Sequence, residues 1–273
     1  MAEGNSCYNI SMSRIDDARK GYREGDSHLT KKSHTKEAIA AAIHHHEGHK
    51  TGFSLPEIIL GGQDGLVNVL GIILGMAAAT SSSQIVIVAG LAATFAESIS
   101  MAAVAYTSKL AEADYYQSEY EREKWEIDHE PEGEREEIRQ LYIKYGFEGK
   151  ILDQIVDKIT SNKQVWAEVM MEQELKLEKV SRKEALPAAF IVGMSALIGS
   201  FIPLTAYFFF PVKVATLIAL TVSALTLFAV GYYKAQKTLG RKLIFQGIEM
   251  MVIGMVSAFV GYLIGLLFKV PTP

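Results

Sequence analysis

The chain has 273 residues, 49% of them hydrophobic, with 27 Lys and Arg against 31 Asp and Glu and a formal net charge of −4. A single cysteine, Cys7, excludes an intrachain disulfide and any multi-cysteine metal site. The charges are placed so unevenly that their total says little, and no nucleic-acid partner is expected.

Residues 1–54 are polar and lack an apolar core of signal-peptide length, so the first span is expected to direct insertion itself. This segment reads as a flexible, histidine-containing cytosolic tail. His44, His45, His46, Glu47 and His49 cluster in it, with His28 and His34 upstream. Neutral imidazole binds zinc, iron and nickel. Adjacent histidines on a helix diverge, so no more than two of the run would meet one ion.

Crossing a bilayer core of about 30 Å takes roughly 20 apolar residues in a helix. Five segments qualify: Ile58 to Ala79, Ile85 to Tyr106, Ala185 to Val212, Val214 to Tyr233 and Leu243 to Phe268. They hold acids at only three points, Asp64, Glu97 and Glu249. A carboxylate in hydrocarbon costs roughly 3 kcal/mol on insertion scales. Three of them, in helices that can pack together, suggest a path for a cation or a proton. Counted from the cytosolic face, Asp64, Glu97 and Glu249 lie about 12, 10 and 9 Å deep. If the fifth span packs beside the first two, the three can meet. Gln246 shares the Glu249 side of its helix, and Glu249 can instead snorkel toward Arg241 or Lys242. Glycines 61, 62, 65, 71 and 75 on the first span allow close helix approach, including across a dimer axis.

Basic residues set the expected orientation. The link between spans one and two, Thr80 to Gln84, is uncharged, whereas Lys234, Lys237, Arg241 and Lys242 lie between spans four and five. The N-terminus and the segment between spans two and three are therefore expected in the cytosol, and the C-terminus on the other side.

That segment, residues 109–184, holds 20 of the 31 acidic and 13 of the 27 basic residues. Leu110 to His129 reads as an extension of the second span, broken by Pro131 and Gly133. Helices are then expected over Glu134 to Tyr145, Gly149 to Ile159 and Lys163 to Val180. Glu123 and Glu126 are three residues apart, as are Glu134 and Glu137, so each pair can point two carboxylates at one cation. Oxygen ligands suit hard divalent ions, and ferrous iron and manganese accept them. Met170, Met171 and Glu174 add softer sulfur and a fifth carboxylate. The same spacing also describes an acidic solvated face with core methionines. Glu126 and His129 make one Glu-x-x-His step; a di-iron centre uses that step twice, and no second copy is present.

These motifs resemble the vacuolar iron transporters over roughly Leu55 to Phe268. The match rests on Asp64-Gly65 in the first span, Ser100-Met101 in the second, the two Glu-x-x-Glu pairs, and Met170-Met171-x-x-Glu174. The resemblance implies an all-α, polytopic membrane protein with five transmembrane helices and a helical cytosolic metal-binding insertion between spans two and three. Residues 55–108 then carry spans one and two, 109–184 the insertion, and 185–270 spans three to five. It further implies a homodimer that exports ferrous iron, with manganese as a further substrate, from the cytosol in exchange for protons. No prosthetic group is implied. Asp64 and Met101 would line the path, and Glu123, Glu126, Glu134, Glu137, Met170, Met171 and Glu174 would bind metal. Ala93 stands where some members carry a pore glutamate, and Glu97, one turn before Met101, is the candidate replacement. The membrane would be the vacuolar one in a eukaryote and the cell membrane in a prokaryote. A membrane-bound di-iron oxidase and a metal-gated channel or sensor are the alternative readings.

Overall fold

Local chemistry decides where each helix begins and stops. The computed structural model describes residues 55–238 and 242–268, with residues 18, 20–21, 24–32 and 34–36 of the N-terminal segment. The histidine cluster at 44–49 and Cys7 lie outside the described residues. His28 and His34 are exposed, His28 on a short helix, Ser27–Lys32.

The first long helix, α1 (Leu55–Ala79), ends at Thr80. The Ser82 hydroxyl then accepts from the Ile85 N–H and opens α2 (Ser83–His129). At 47 residues, α2 is about 70 Å long, twice what a bilayer core needs. Its first half is apolar and its second half projects beyond the span. Proline is tolerated in a first helical turn, so α3 starts at Pro131 and runs to Lys144, rather than starting at Glu134 as expected. Gly146 and Gly149, at φ +87° and +57°, make the left-handed turn into α4 (Gly149–Thr160). Asn162 caps α5 (Lys163–Val169) by accepting from the Gln164 and Val165 N–H groups at 2.9 and 3.3 Å.

The fourth helix of the insertion is shorter than expected. It widens into a π-helical turn, Met170–Glu174, in which the Leu175 N–H reaches back to the Met170 carbonyl at 3.1 Å. Lys176, at φ +55°, then stops it well before Val180. The remaining spans are α6 (Ala185–Phe209), α7 (Val212–Thr238) and α8 (Leu243–Leu267). Val212 belongs to α7 rather than to the third span, because Pro211 forces Phe210 into an extended conformation, φ −129° and ψ 151°. The fold is all-α, with no strand among the described residues, and α1, α2, α6, α7 and α8 are long and apolar enough to cross a membrane.

Within hydrocarbon there is no water to squeeze out, so small residues and close backbones do the packing. Helix α1 lies at the centre and packs chiefly on α6 and α8. A β-carbon on Gly61 or Gly65 would collide with the carbonyls of Val192 or Ala196 on α6. One on Gly261 or Gly265 would collide with the carbonyls of Gly71 or Gly75 on α1. Gly61, Gly65 and Gly75 on α1 thus serve close helix contacts inside the chain, whereas a β-carbon on Gly71 would meet nothing. Both registers ascend together, so α1, α6 and α8 are parallel while α2 and α7 run back. The insertion, the start of α1, the end of α7 and the start of α8 therefore share one end of the bundle. Val69, Leu70, Ile73, Leu74, Val86, Leu204 and Tyr207 fill its core. The Tyr207 and Thr216 hydroxyls bond at 2.9 Å across the α6–α7 corner.

The insertion has its own core of Ile127, Ile138, Leu152, Val156, Trp166, Ala167 and Met170. Arg139 pairs with Asp153 at 2.7 Å, Arg135 with Asp157 and Lys163 with Asp128, clamping α3 to α4 and α5 to α2. Arg182 reaches Asp114 at 2.7 Å, tying the entry to α6 back onto α2.

Candidate functional site

Two groups of carboxylates are strung along α2, one in the insertion and one in the membrane. In the insertion, Glu123 and Glu126 lie one helical turn apart on α2, and α3 crosses them with Glu134. Carboxylate oxygens of these three lie within 4.8 Å of one another. Glu123 and Glu134 are only 2% and 6% exposed. Each keeps a buried Oε2 without a hydrogen-bond partner. Buried acceptors are nearly always satisfied, so two orphaned carboxylate oxygens in a convergent trio fit a cation. An all-oxygen set of this kind suits hard or borderline divalent ions.

The electrostatics agree. Burial, reinforced by the charges of Glu123, Glu137, Glu126 and Glu174, raises the Glu134 carboxyl from 4.5 to about 8. Burial also pushes Glu123 above the usual range; Arg122 pulls against it, and Glu126, Glu137 and Glu119 add to it. Arg122 contacts Glu123 at 2.6 Å, Glu119 at 3.0 Å, and Glu126.

The other expected metal residues are placed around this trio. Glu137 is exposed and hydrogen-bonds Glu174, which extends the acidic surface across to the π-helical turn. The charges of both are felt at Glu134. Met170 and Met171 are both fully buried, although adjacent, because the π-helical turn advances each residue less than an α-helix does. Met170 packs into the apolar core of the insertion. His129 is drawn away from the carboxylates: its Nδ1 bonds the Trp125 carbonyl at 2.8 Å and its ring stacks on Trp125.

In the membrane, Asp64 on α1 and Glu97 on α2 are half-buried and share a side-chain hydrogen bond. The Asn68 amide donates to Glu97 at 3.1 Å. Sequence reasoning missed Asn68, although it lies one turn after Asp64 on the same helix face. Met101, also half-buried, follows Glu97 by one turn toward the insertion. Nearby hydroxyls are committed to their own helix: Thr94 to the Gly90 carbonyl at 2.8 Å and Ser98 to the Thr94 carbonyl at 2.7 Å. Ala93 packs against the membrane core.

Glu249 does not join Asp64 and Glu97 in the chain. Helix α8 packs on α1 and α7 through Gly247, Met250, Gly254, Ala258 and Gly265, and Glu249 is exposed off that seam. The register Gly71–Gly261 also sets it about one turn nearer the insertion than Asp64. Gln246 does share its side, donating to Glu249 at 2.8 Å.

A sequence profile described as the VIT family matches residues 55–266. Vacuolar iron transporter 1 of Arabidopsis thaliana is 36% identical over 217 residues, which cover 79% of this chain and 86% of the relative. Vacuolar iron transporter 1 of Tulipa gesneriana is 32% identical over 220 residues, covering 80% and 89%. The vacuolar iron transporter of Plasmodium berghei is 32% identical over 271 residues, covering 95% of this chain and 98% of its own length. That alignment reaches into the first 50 residues, beyond the Leu55 to Phe268 stretch on which the resemblance rests. With a profile spanning all five membrane helices and relatives matched over most of their length, this chain belongs to the VIT family.

Proposed function

We propose that the chain is a membrane transporter, not an enzyme, that carries ferrous iron, and manganese with it, out of the cytosol in exchange for protons. The observation that carries this reading is the Asp64–Glu97 pair. Two carboxyl groups bonded to each other between membrane helices form a site that a divalent cation or a proton can fill, but not both at once. Met101 adds a polarizable ligand one turn along. The insertion lies in the cytosol and collects metal on Glu123, Glu126 and Glu134, with Glu137, Glu174 and the two methionines around them. Helix α2 joins the two sites, Glu97 and Glu123 being about 39 Å apart along it.

Dimerisation belongs to the same reading. In a single chain the Asp64–Glu97 pair and Asn68 open on an outer face of the bundle, where hydrocarbon would meet them. A second copy covering that face removes a cost of roughly 3 kcal/mol per charged group.

Reconstitution in sealed liposomes tests the proposal. Ferrous iron influx should be accompanied by proton efflux in fixed ratio, and Asp64→Asn should remove both. Iron flux without proton movement would favour a metal-gated channel. Oxygen consumption on adding iron would favour an oxidase, against which His129 already stands, since its ring is engaged with Trp125.

A further inference from the structure

Arg122 lies where a metal-binding cluster should least tolerate a cation. Its guanidinium takes Oε1 of Glu123 at 2.6 Å and Oε2 of Glu126, two carboxylates of the convergent trio. It also holds Glu119 at 3.0 Å, a carboxylate on the same helix that is outside the trio. The inner oxygens of Glu123 and Glu134 are left without partners. The arginine side chain is 42% exposed, so it has room to move.

We propose that Arg122 is the built-in counter-ion of the insertion's metal site. It neutralises Glu123 and Glu126 when the site is empty and withdraws onto Glu119 as a divalent ion loads. The inference rests on the reading of the glutamate trio as the metal site. Without such a cation, several carboxylates crowded against one another would repel and splay the α2–α3 crossing. With it, the empty site stays assembled, and an incoming ion must displace one positive charge from shared carboxylates. Affinity is thereby lowered and release made easier, as delivery to a transport path requires. Arginine suits the task better than lysine because its planar fork can hold two or three carboxylates and keep one while releasing the others.

The test is zinc titration of the full-length protein in detergent, zinc serving as a redox-stable probe. Glu134→Gln should abolish this binding; if it does not, the trio is not the site and both readings fall. Given a site that depends on Glu134, Arg122→Gln should bind zinc about tenfold more tightly, since a divalent ion no longer competes with a neighbouring cation. Damage to the fold cannot tighten binding, so this sign separates a counter-ion from a scaffold. Unchanged or weaker binding in Arg122→Gln would overturn the proposal while leaving the site intact. Glu119→Gln should weaken binding in the wild-type background and have a much smaller effect in the Arg122→Gln background. Equal effects in both backgrounds would mean that Glu119 acts only as a distant charge, and would overturn its role as the resting place.

Discussion

The carboxyl of Asp64 on α1 is hydrogen-bonded to that of Glu97 on α2, in the part of the bundle that crosses the membrane. Two carboxyl groups this close can share one proton, because ionised carboxylates only accept. In the proposed exchange, a divalent ion bridging the pair would displace that proton. Asp64→Asn keeps a donor for Glu97 but removes one of the two charges that would hold the metal. The expected outcome is a fold and oligomeric state unchanged by size-exclusion chromatography, with iron flux into liposomes lowered to background. Wild-type flux in this variant would remove Asp64 from the mechanism.

Glu97→Gln makes a sharper distinction, because Asn68 donates to the same carboxyl. If Glu97 fills the role left open by Ala93, the variant should lose transport as fully as Asp64→Asn. Iron flux measured in parallel for the two variants checks this. A Glu97 variant that transports normally would make the residue a structural partner of Asn68.

The buried Glu134 gives a pH dependence whose sign is fixed. Its carboxyl is raised from 4.5 to about 8, first by burial and then by its acidic neighbours. Metal binds the ionised form, so affinity should rise with pH toward about 8 and level off above it, with proton release on loading at neutral pH. For the metal-free protein the direction reverses. The folded state holds this proton more tightly than the unfolded chain. Its contribution to stability is complete below 4.5 and lost as pH rises through about 8. Zinc titrations and chelator-treated melting curves at about pH 6 and about pH 8.5 check both signs. An affinity flat across that interval would rule out Glu134 as a ligand.

Most of the architecture was legible because its signals are local. Five long apolar runs, the stop at His129–Pro131 and the glycine turns near 146 and 149 all specify themselves within a few residues. What was not legible depended on tertiary register. The Met170–Glu174 π-helical turn carries no composition signal, so Met170 and Met171 could not be seen to share the interior. The α1 glycines announced close packing but not their partners, which include Val192, Ala196 and Gly199 on α6 and Gly261 and Gly265 on α8. Arg122 read as one charge among many on an acidic helix. Its significance appears only when α3 brings Glu134 across Glu123.

The register of α1 against α8 can be tested by size. Gly265 faces the Gly75 backbone so closely that even a β-carbon must push the helices apart. Overpacking of this kind costs about 1–3 kcal/mol or more. Gly265→Val should therefore lower the melting temperature in detergent, whereas the same substitution at Gly133, where a β-carbon meets nothing, should change it far less. Equal effects at the two positions would contradict the parallel contact.

Glu249 is the remaining charge within the spans, and its position argues for a quiet role. It is exposed on α8, away from the seam that meets α1, and its side chain is met by Gln246 at 2.8 Å. At about 9 Å from the end where α8 begins, it can extend its carboxyl toward the interface and stay hydrated. Glutamine there keeps the partner and the shape. Glu249→Gln should thus transport iron at the wild-type rate with the wild-type pH profile, since within one chain Glu249 is exposed off the seam that meets α1. A displaced pH optimum in sealed vesicles would contradict this. Glu249 would then have to reach the path from a second copy of the chain.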